Sequence, residues 1–185
     1  SDNRLVASPD QWLFNEWVIP SEANFDSKWY WNNIRNLNYF MTRYQRVNAT
    51  EYAVNPVIAV YRFFRAFDYF DKIKTFGDVP WYEKDLTTAD IDELYKARDD
   101  RDFVLGKIIE DLEFAIEWLP EKSAAEVGAL HKDAARTFLA RVCLHYGTYK
   151  KYHNVSTSPT SQELLQKAAT LAKEVMDSGL YDIVQ

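Results

Sequence analysis

The sequence predicts an all-α protein of five main helices that pair side by side, and three observations support this. Glycine and proline are scarce, at five and six of 185 residues, which is typical of long uninterrupted elements rather than of a turn-rich β-sandwich. Apolar residues recur at spacings of three and four in five stretches, which is the period of an amphipathic helix. Glycine or proline follows the second, third and fifth of these stretches, as is common at helix ends.

The first 26 residues show no sustained period, so we expect an irregular N-terminal segment there. Residues 27–185 are expected to form one helical domain. Its first helix is predicted to begin at Ser27, a good N-cap residue. The apolar stripe of that helix consists of Tyr30, Ile34, Leu37, Met41 and Tyr44.

The second predicted helix follows Asn55-Pro56, because proline suits a first helical turn. Gly77 and Pro80 end it. Its apolar residues wrap most of the circumference, and a helix of that kind is buried between neighbours. We therefore expect the following residues in the core: Val57, Val60, Tyr61, Phe63, Phe64, Phe67, Tyr69, Phe70 and Ile73.

An acidic connector covers residues 83–100, and we expect a short helix within its ADIDELYKA sequence. Asp99 or Asp100 is predicted to cap the third main helix, which Pro120 ends. Its inner face is predicted to be Val104, Ile108, Leu112, Ala115, Ile116 and Leu119. Its acidic residues lie off that stripe and are expected in solvent: Glu110, Asp111, Glu113 and Glu117.

The fourth and fifth helices are predicted in HKDAARTFLARVCLHYGTYKKY and ELLQKAATLAKEVMDSG. The fourth is expected to point Ala135, Phe138, Leu139, Val142 and Tyr146 inward. The inward residues of the fifth are expected to be Leu165, Ala168, Ala169, Ala172, Val175 and Met176. Helices two and three, and four and five, pair as antiparallel hairpins, which favours a tetratricopeptide-like stack even though no strict repeat is present.

Composition and spacing argue against several classes of function. A net charge of −6 makes a nucleic-acid backbone an unfavourable partner. Cys143 is the single cysteine, so we expect a small core residue and no thiolate metal cluster. The histidines form no metal-binding pair and flank no nucleophile, and no glycine-rich phosphate loop occurs. We therefore expect no catalytic residue, no metal and no cofactor.

Aromatic residues give the strongest functional signal, at 16 % of the chain. Trp12, Trp17 and Trp81 lie in predicted loops, and Trp31 lies about 100° from the stripe of the first helix, at ~100° of rotation per residue. Flat rings beside amide and guanidinium groups are suited to sugars, because a ring covers the apolar face of a sugar while polar groups bind its hydroxyls. The predicted ligand contacts are therefore Trp12, Trp17, Trp29, Trp31, Asn32, Arg35 and Trp81. The alternative is that these rings pack the N-terminal segment onto the helices.

Several segments, in order, resemble the SusD/RagB family. Residues 62–86 resemble its signature stretch, and they read RFFRAFDYFDKIKTFGDVPWYEKDL. Further matching segments are WYWNNIRNLNYFM, KARDDRDFVLGKIIEDLEFAIEWLP, AARTFLARVCLHYGTYKKYHN and LAKEVMDSGLYDIV. The resemblance covers about residues 27–184.

The resemblance implies a non-enzymatic, glycan-binding lipoprotein at the outer-membrane cell surface, with an α-helical, tetratricopeptide-like fold. It also implies a partner, a SusC-like TonB-dependent transporter that takes up oligosaccharides. Because the lipid-bearing cysteine and the larger, irregular part of family members are missing, we expect this chain to be a piece of a longer protein. By the same resemblance the 62–86 stretch is scaffold, so we expect function on loops and on rings off the apolar stripes.

Two other functions stay open from the sequence. A tetratricopeptide-like stack presents grooves to protein partners, so a protein-interaction scaffold without sugar binding is the main alternative. A glycoside hydrolase needs two carboxylates converging in a cleft, and nothing in the sequence favours that arrangement.

Overall fold

The computed structural model describes residues 28–182 of the chain, and within that range it contains six α-helices, one 3₁₀ turn and no β-strand. The α-helices are α1 (Asn32–Met41), α2 (Glu51–Phe76), α3 (Ile91–Leu94), α4 (Arg101–Trp118), α5 (Lys132–Tyr152) and α6 (Ser161–Asp177). The 3₁₀ turn covers Tyr44–Arg46. The chain divides into two compact units, Ser1–Tyr30 and Trp31–Gln185, and all six helices belong to the second. The all-α prediction is confirmed.

Neighbouring helices of the second unit pack in chain order: α1 on α2, α2 on α4, α4 on α5 and α5 on α6. This is the tetratricopeptide-like arrangement that the sequence predicts. The largest side chains fully buried between the helices include Tyr69, Tyr146, Ile34, Ile73, Leu105, Ile108, Leu112 and Leu139. Every helix in the described range is too short or too polar to cross a lipid bilayer.

Two predicted helix starts are wrong. The first helix begins at Asn32 and not at Ser27. Lys28 has a φ of 57°, a left-handed conformation that a right-handed helix excludes. Ser27, the predicted cap, lies outside the described residues. The second helix begins at Glu51, one turn before Pro56. A proline this early removes only one helical hydrogen bond, while the Glu51 carboxylate favours the positive end of the helix dipole.

The prediction that α2 is buried all round is also wrong. Phe63 and Phe70 lie in the core at 8 % and 4 % exposure, but Phe64 and Phe67 are 47 % and 51 % exposed. Because α1 and α4 cover α2 from particular sides, one aromatic face stays open. Phe138 of α5 meets that face only in part, with its ring 5.3 Å from that of Phe67.

Helix α6 is rotated relative to its prediction. Its buried residues are Leu164, Ala168 and Leu171, whereas Ala169, Ala172 and Met176 are exposed. The physical reason is that only α5 packs extensively against α6 among the described helices, so a narrow stripe suffices.

The remaining helices agree better with their predictions. The connector holds the short helix α3, Asp100 caps α4 by accepting a hydrogen bond from the Asp102 backbone N–H, and Cys143 is buried. One residue of α4 is misplaced by the sequence. Asp111 is not in solvent but is only 2 % exposed, because Arg65 of α2 pairs with it inside the core.

Candidate ligand-binding site

Residues 77–82 leave the end of α2 and form one wall of the candidate site. Gly77 has a φ of +74°, and the Arg101 guanidinium occupies the space that a Cβ would need, so this turn requires glycine. Beyond the turn, the Val79 carbonyl accepts a hydrogen bond from the Asp99 backbone N–H at 3.2 Å. The Phe-Gly-Asp-Val-Pro run therefore directs the chain back past the start of α4.

Both backbone polar groups of Trp81 are held by side chains. Its N–H donates to Asp99 Oδ2 at 2.7 Å, and its carbonyl accepts from Lys96 Nζ at 2.7 Å. Lys96 Nζ also lies 3.2 Å from Asp99 Oδ2. These charged hydrogen bonds fix the segment against the residues between α3 and α4.

Both backbone polar groups of Tyr82 are also held by side chains, in this case by residues that precede it in the sequence. Its N–H donates to the Tyr69 hydroxyl at 2.7 Å, and its carbonyl accepts from Asn38 Nδ2 at 2.7 Å. The Asn38 oxygen in turn accepts from Arg65 Nη1 at 3.4 Å, and the Arg65 guanidinium donates twice to Asp111 at 2.7 and 2.8 Å. Helices α1, α2 and α4 thus all contribute to fixing this wall.

Four aromatic rings from separate parts of the sequence meet here. Tyr69 packs on Trp81 with ring centroids 4.1 Å apart, and Trp31 meets Tyr82 and Tyr69 edge-to-face at 5.4 and 6.1 Å. The Lys72 amine lies 4.6 Å from the centre of the Trp31 ring. Edge-to-face pairs at these distances are favourable, and burial raises the pKa of the Tyr69 hydroxyl.

Next to these rings lies an open cleft of about 370 Å³. It is bounded by residues 81–86, by the end of α3 and by the first turns of α4. Tyr82 lines it and so does Phe103, a residue that is 50 % exposed. Its charged lining residues are Glu83, Lys84, Glu93, Lys96, Asp99 and Lys107.

Most of the charged groups of the cleft are paired with one another. The Trp81 indole N–H donates to Glu83 Oε1 at 2.9 Å, and this bond, with the Lys107 amine at 3.7 Å, lowers the pKa of Glu83. A hydrogen bond to Glu110 raises the pKa of Lys107, and burial raises the pKa of the Tyr82 hydroxyl. These pKa shifts favour a charged Glu83 carboxylate and a charged Lys107 amine beside a neutral Tyr82 hydroxyl.

The structure brings together two of the predicted ligand contacts. Trp31 and Trp81 belong to one aromatic cluster. In it, Tyr69 contacts both tryptophan rings and Tyr82 contacts Trp31. Trp81 is only 5 % exposed, because Tyr69 and the Arg65 guanidinium pack against it. Most of its ring is thus core, and only its cleft edge is left for the predicted ligand contact.

The other predicted residues are placed differently. Asn32 and Arg35 are exposed on α1. Arg35 Nε lies 3.8 Å from Asp85 Oδ1. The same carboxylate pairs with Arg43, whose Nη1 lies 2.9 Å from Asp85 Oδ2. Trp29 precedes α1 in the first compact unit. Trp12 and Trp17 lie outside the described residues, so their roles stay predictions.

Sequence reasoning missed two contributors to the cleft, the exposed Phe103 and the partly buried Tyr82. Phe103 directly precedes Val104, the first residue of the α4 inner stripe. An aromatic residue off that stripe is expected on the surface, and this position was the signal that could have identified it. Tyr82 follows the Gly-Asp-Val-Pro turn, and no periodicity assigns a side to a residue in such a turn.

Comparison with known proteins agrees with these features. A family described as starch-binding and associating with the outer membrane, SusD-like, matches residues 7–144. This chain belongs to the SusD-like family. The match includes the 77–82 turn, the aromatic cluster and the cleft.

One curated relative and two solved structures of the same fold extend the comparison. SusD-like protein P2 of Formosa agariphila is 35 % identical over 106 residues, which is 57 % of this chain and 20 % of that protein. A solved SusD-like protein from Bacteroides fragilis has a TM-score of 0.74 at 25 % identity and covers 96 % of this chain and 31 % of its own. A structure solved with xylogluco-oligosaccharide has a TM-score of 0.74 at 22 % identity, covering 94 % and 33 %. The chain thus spans a fifth to a third of the length of these relatives.

Proposed function

We propose that this SusD-like chain binds oligosaccharides without cleaving them, as part of a lipid-anchored surface protein that serves a SusC-like TonB-dependent transporter. The observation that carries the proposal is the family match over residues 7–144, whose description is starch-binding and outer-membrane-associated. A structure of the same fold solved with xylogluco-oligosaccharide gives further support.

Stacking and amide hydrogen bonds would do the binding. Trp31 is half-buried beside Tyr82. Asn32, the next residue, and Arg35, about one helical turn further on, are exposed. Aromatic contacts contribute about 0.5–1.5 kcal/mol each, so a site of a few such contacts binds weakly. Weak binding suits a protein that must release its cargo to a transporter.

Isothermal titration calorimetry with maltoheptaose and xylogluco-oligosaccharide tests the proposal. Trp31→Phe, Asn32→Ala and Arg35→Ala are expected to weaken binding severalfold. Tyr52→Ala is the control, because Tyr52 is 83 % exposed on α2 and is not one of the four rings of the aromatic cluster. Absence of binding to any oligosaccharide at millimolar concentration would overturn the proposal, and a reducing-sugar assay that shows cleavage would overturn its non-enzymatic part.

A protein-interaction scaffold is the second candidate, and one observation favours it. Phe64, Phe67 and Leu144 are about half exposed, at 47, 51 and 54 %, and contiguous exposed apolar patches commonly mark interfaces. Co-purification from the native host separates the candidates. A scaffold retains a protein partner whether or not glycan is present, and Phe67→Glu is expected to abolish that retention without changing oligosaccharide affinity.

A further inference from the structure

We propose that the cleft between residues 81–86, α3 and α4 binds a short neutral saccharide, with the Phe103 ring stacked on the apolar face of a sugar. This inference rests on the proposed function and adds a location and a ligand class to it. The location differs from the α1 residues that the sequence predicts.

The size of the cleft fits a small ligand. Its volume of about 370 Å³ lies at the low end of the roughly 300–1,000 Å³ that ligand pockets have. That leaves room for about one or two sugar rings, with the rest of a chain extending through the open side. A long glycan would therefore contact this cleft with only a few of its units.

The charges of the cleft favour an uncharged ligand. Three carboxylates, of Glu83, Glu93 and Asp99, face three amines, of Lys84, Lys96 and Lys107, so the formal charge of the lining is zero. Most of these groups already pair, for example Lys96 Nζ with Asp99 Oδ2 at 3.2 Å and with Glu93 Oε2 at 3.5 Å. An anionic sugar would meet as many repelling as attracting charges, whereas hydroxyl groups can donate to the carboxylates and accept from the amines.

The rings supply the apolar part of the site. Phe103 is 50 % exposed although it borders the buried residues Val104 and Leu105, and the Lys107 amine lies 5.9 Å from its ring centre. Tyr82 lines the same cleft, and the Lys96 amine lies 5.1 Å from its ring centre. A sugar ring with one apolar face and a hydroxyl rim matches rings flanked by charged groups.

The wall of the cleft is fixed before any ligand binds. All backbone N–H and C=O groups of Trp81 and Tyr82 have side-chain partners at 2.7 Å. A prearranged wall loses little conformational freedom on binding, which raises affinity for a given contact area.

Two variants of the full chain, Phe103→Ala and Phe67→Ala, test the inference as a matched pair. Both residues are half exposed, at 50 and 51 %, but only Phe103 lines the cleft. For maltoheptaose or xylogluco-oligosaccharide we expect Phe103→Ala to raise Kd about three- to tenfold and Phe67→Ala to leave it unchanged. Circular dichroism confirms that both variants fold, and Phe103→Leu, which keeps an apolar side chain without a ring, is expected to weaken binding as well.

Two further readouts make the outcomes distinct. The NMR signal of the Trp81 indole N–H should shift with neutral oligosaccharide, and Kd should change less than about twofold between roughly 50 and 500 mM NaCl. Equal affinity of Phe103→Ala and wild type would overturn the inference while leaving the proposed function standing. Tighter binding of oligogalacturonate, a charged saccharide, would overturn the neutral ligand class, and no saccharide binding by wild type would overturn both proposals.

Discussion

Replacing Asp111 by asparagine tests whether the core depends on one buried ion pair. Asp111 of α4 and Arg65 of α2 join through two hydrogen bonds of 2.7 and 2.8 Å. Their side chains are only 3 and 7 % exposed. Asparagine keeps the shape of the side chain but removes its charge, so the Arg65 guanidinium stays in the core without its counter-ion.

The expected loss of unfolding free energy is about 3 kcal/mol, the lower end of the ~3–5 kcal/mol typical when one partner of a buried pair is removed. The lower end applies because the asparagine oxygen can still accept one hydrogen bond, and because Arg62 Nη1, at 3.7 Å from Asp111 Oδ1, is itself partly solvated. A typical domain is stable by ~5–15 kcal/mol, so this loss is a large share of the total.

Urea unfolding followed by far-ultraviolet circular dichroism measures the effect. Glu117→Gln removes an exposed carboxylate from the same helix and should change the free energy of unfolding by less than about 0.5 kcal/mol. The double variant Arg65→Met with Asp111→Leu should lose less than Asp111→Asn alone, because no buried charge is stranded. A loss below about 1 kcal/mol for Asp111→Asn would show that solvent reaches the pair and that the reasoning fails.

Three further outcomes are expected. Gly147→Ala should destabilise the fold by about 1–3 kcal/mol, because a Cβ would lie 2.8 Å from the Leu165 side chain between α5 and α6. By contrast, a Cβ at Gly106 would meet nothing within 4 Å. Gly106→Ala should therefore stabilise the fold by about 0.5–1 kcal/mol in the same urea assay. Phe70→Ala should cost about 3 kcal/mol or more because the ring is buried, and equal cost for an exposed α2 phenylalanine would contradict this. Burial raises the pKa of Cys143 to about 11, so at pH 8 about one thiol in a thousand is ionised. Ellman's reagent should therefore react fast only after the protein unfolds. Fast labelling of the native protein would refute the burial of Cys143.

The long helices could be predicted from sequence because their burial is periodic. Val104, Ile108, Leu112 and Ala115 recur at spacings of three and four and are fully buried. Periodicity reports how apolar each face is, but not how many neighbours cover it. Phe67 and Met176 are therefore apolar and exposed, and in both cases the missing information was which helix packs on which side.

The candidate site could be predicted only in part, for a related reason. Trp31 and Trp81 are 50 positions apart in the sequence and meet through Tyr69 and Tyr82. Their types predicted a ring site, but their placement depends on the Gly77 turn and on side-chain hydrogen bonds across the fold. Asp111 was misplaced for the same reason, since a charged residue on α4 is buried only when Arg65 on another helix faces it.

The signature stretch is scaffold and site wall together. Arg65 holds Asp111 and Asn38 in the core, Tyr69 holds the Tyr82 N–H, and Gly77 permits the turn between them. On α2, residues 65 and 69 are one helical turn apart on one face, so a single helix edge positions both the ion pair and the aromatic wall. Any substitution that moves this edge should therefore lower stability and alter the cleft at once. Substitution of the exposed Phe103 should instead change the proposed ligand binding with little cost to the fold.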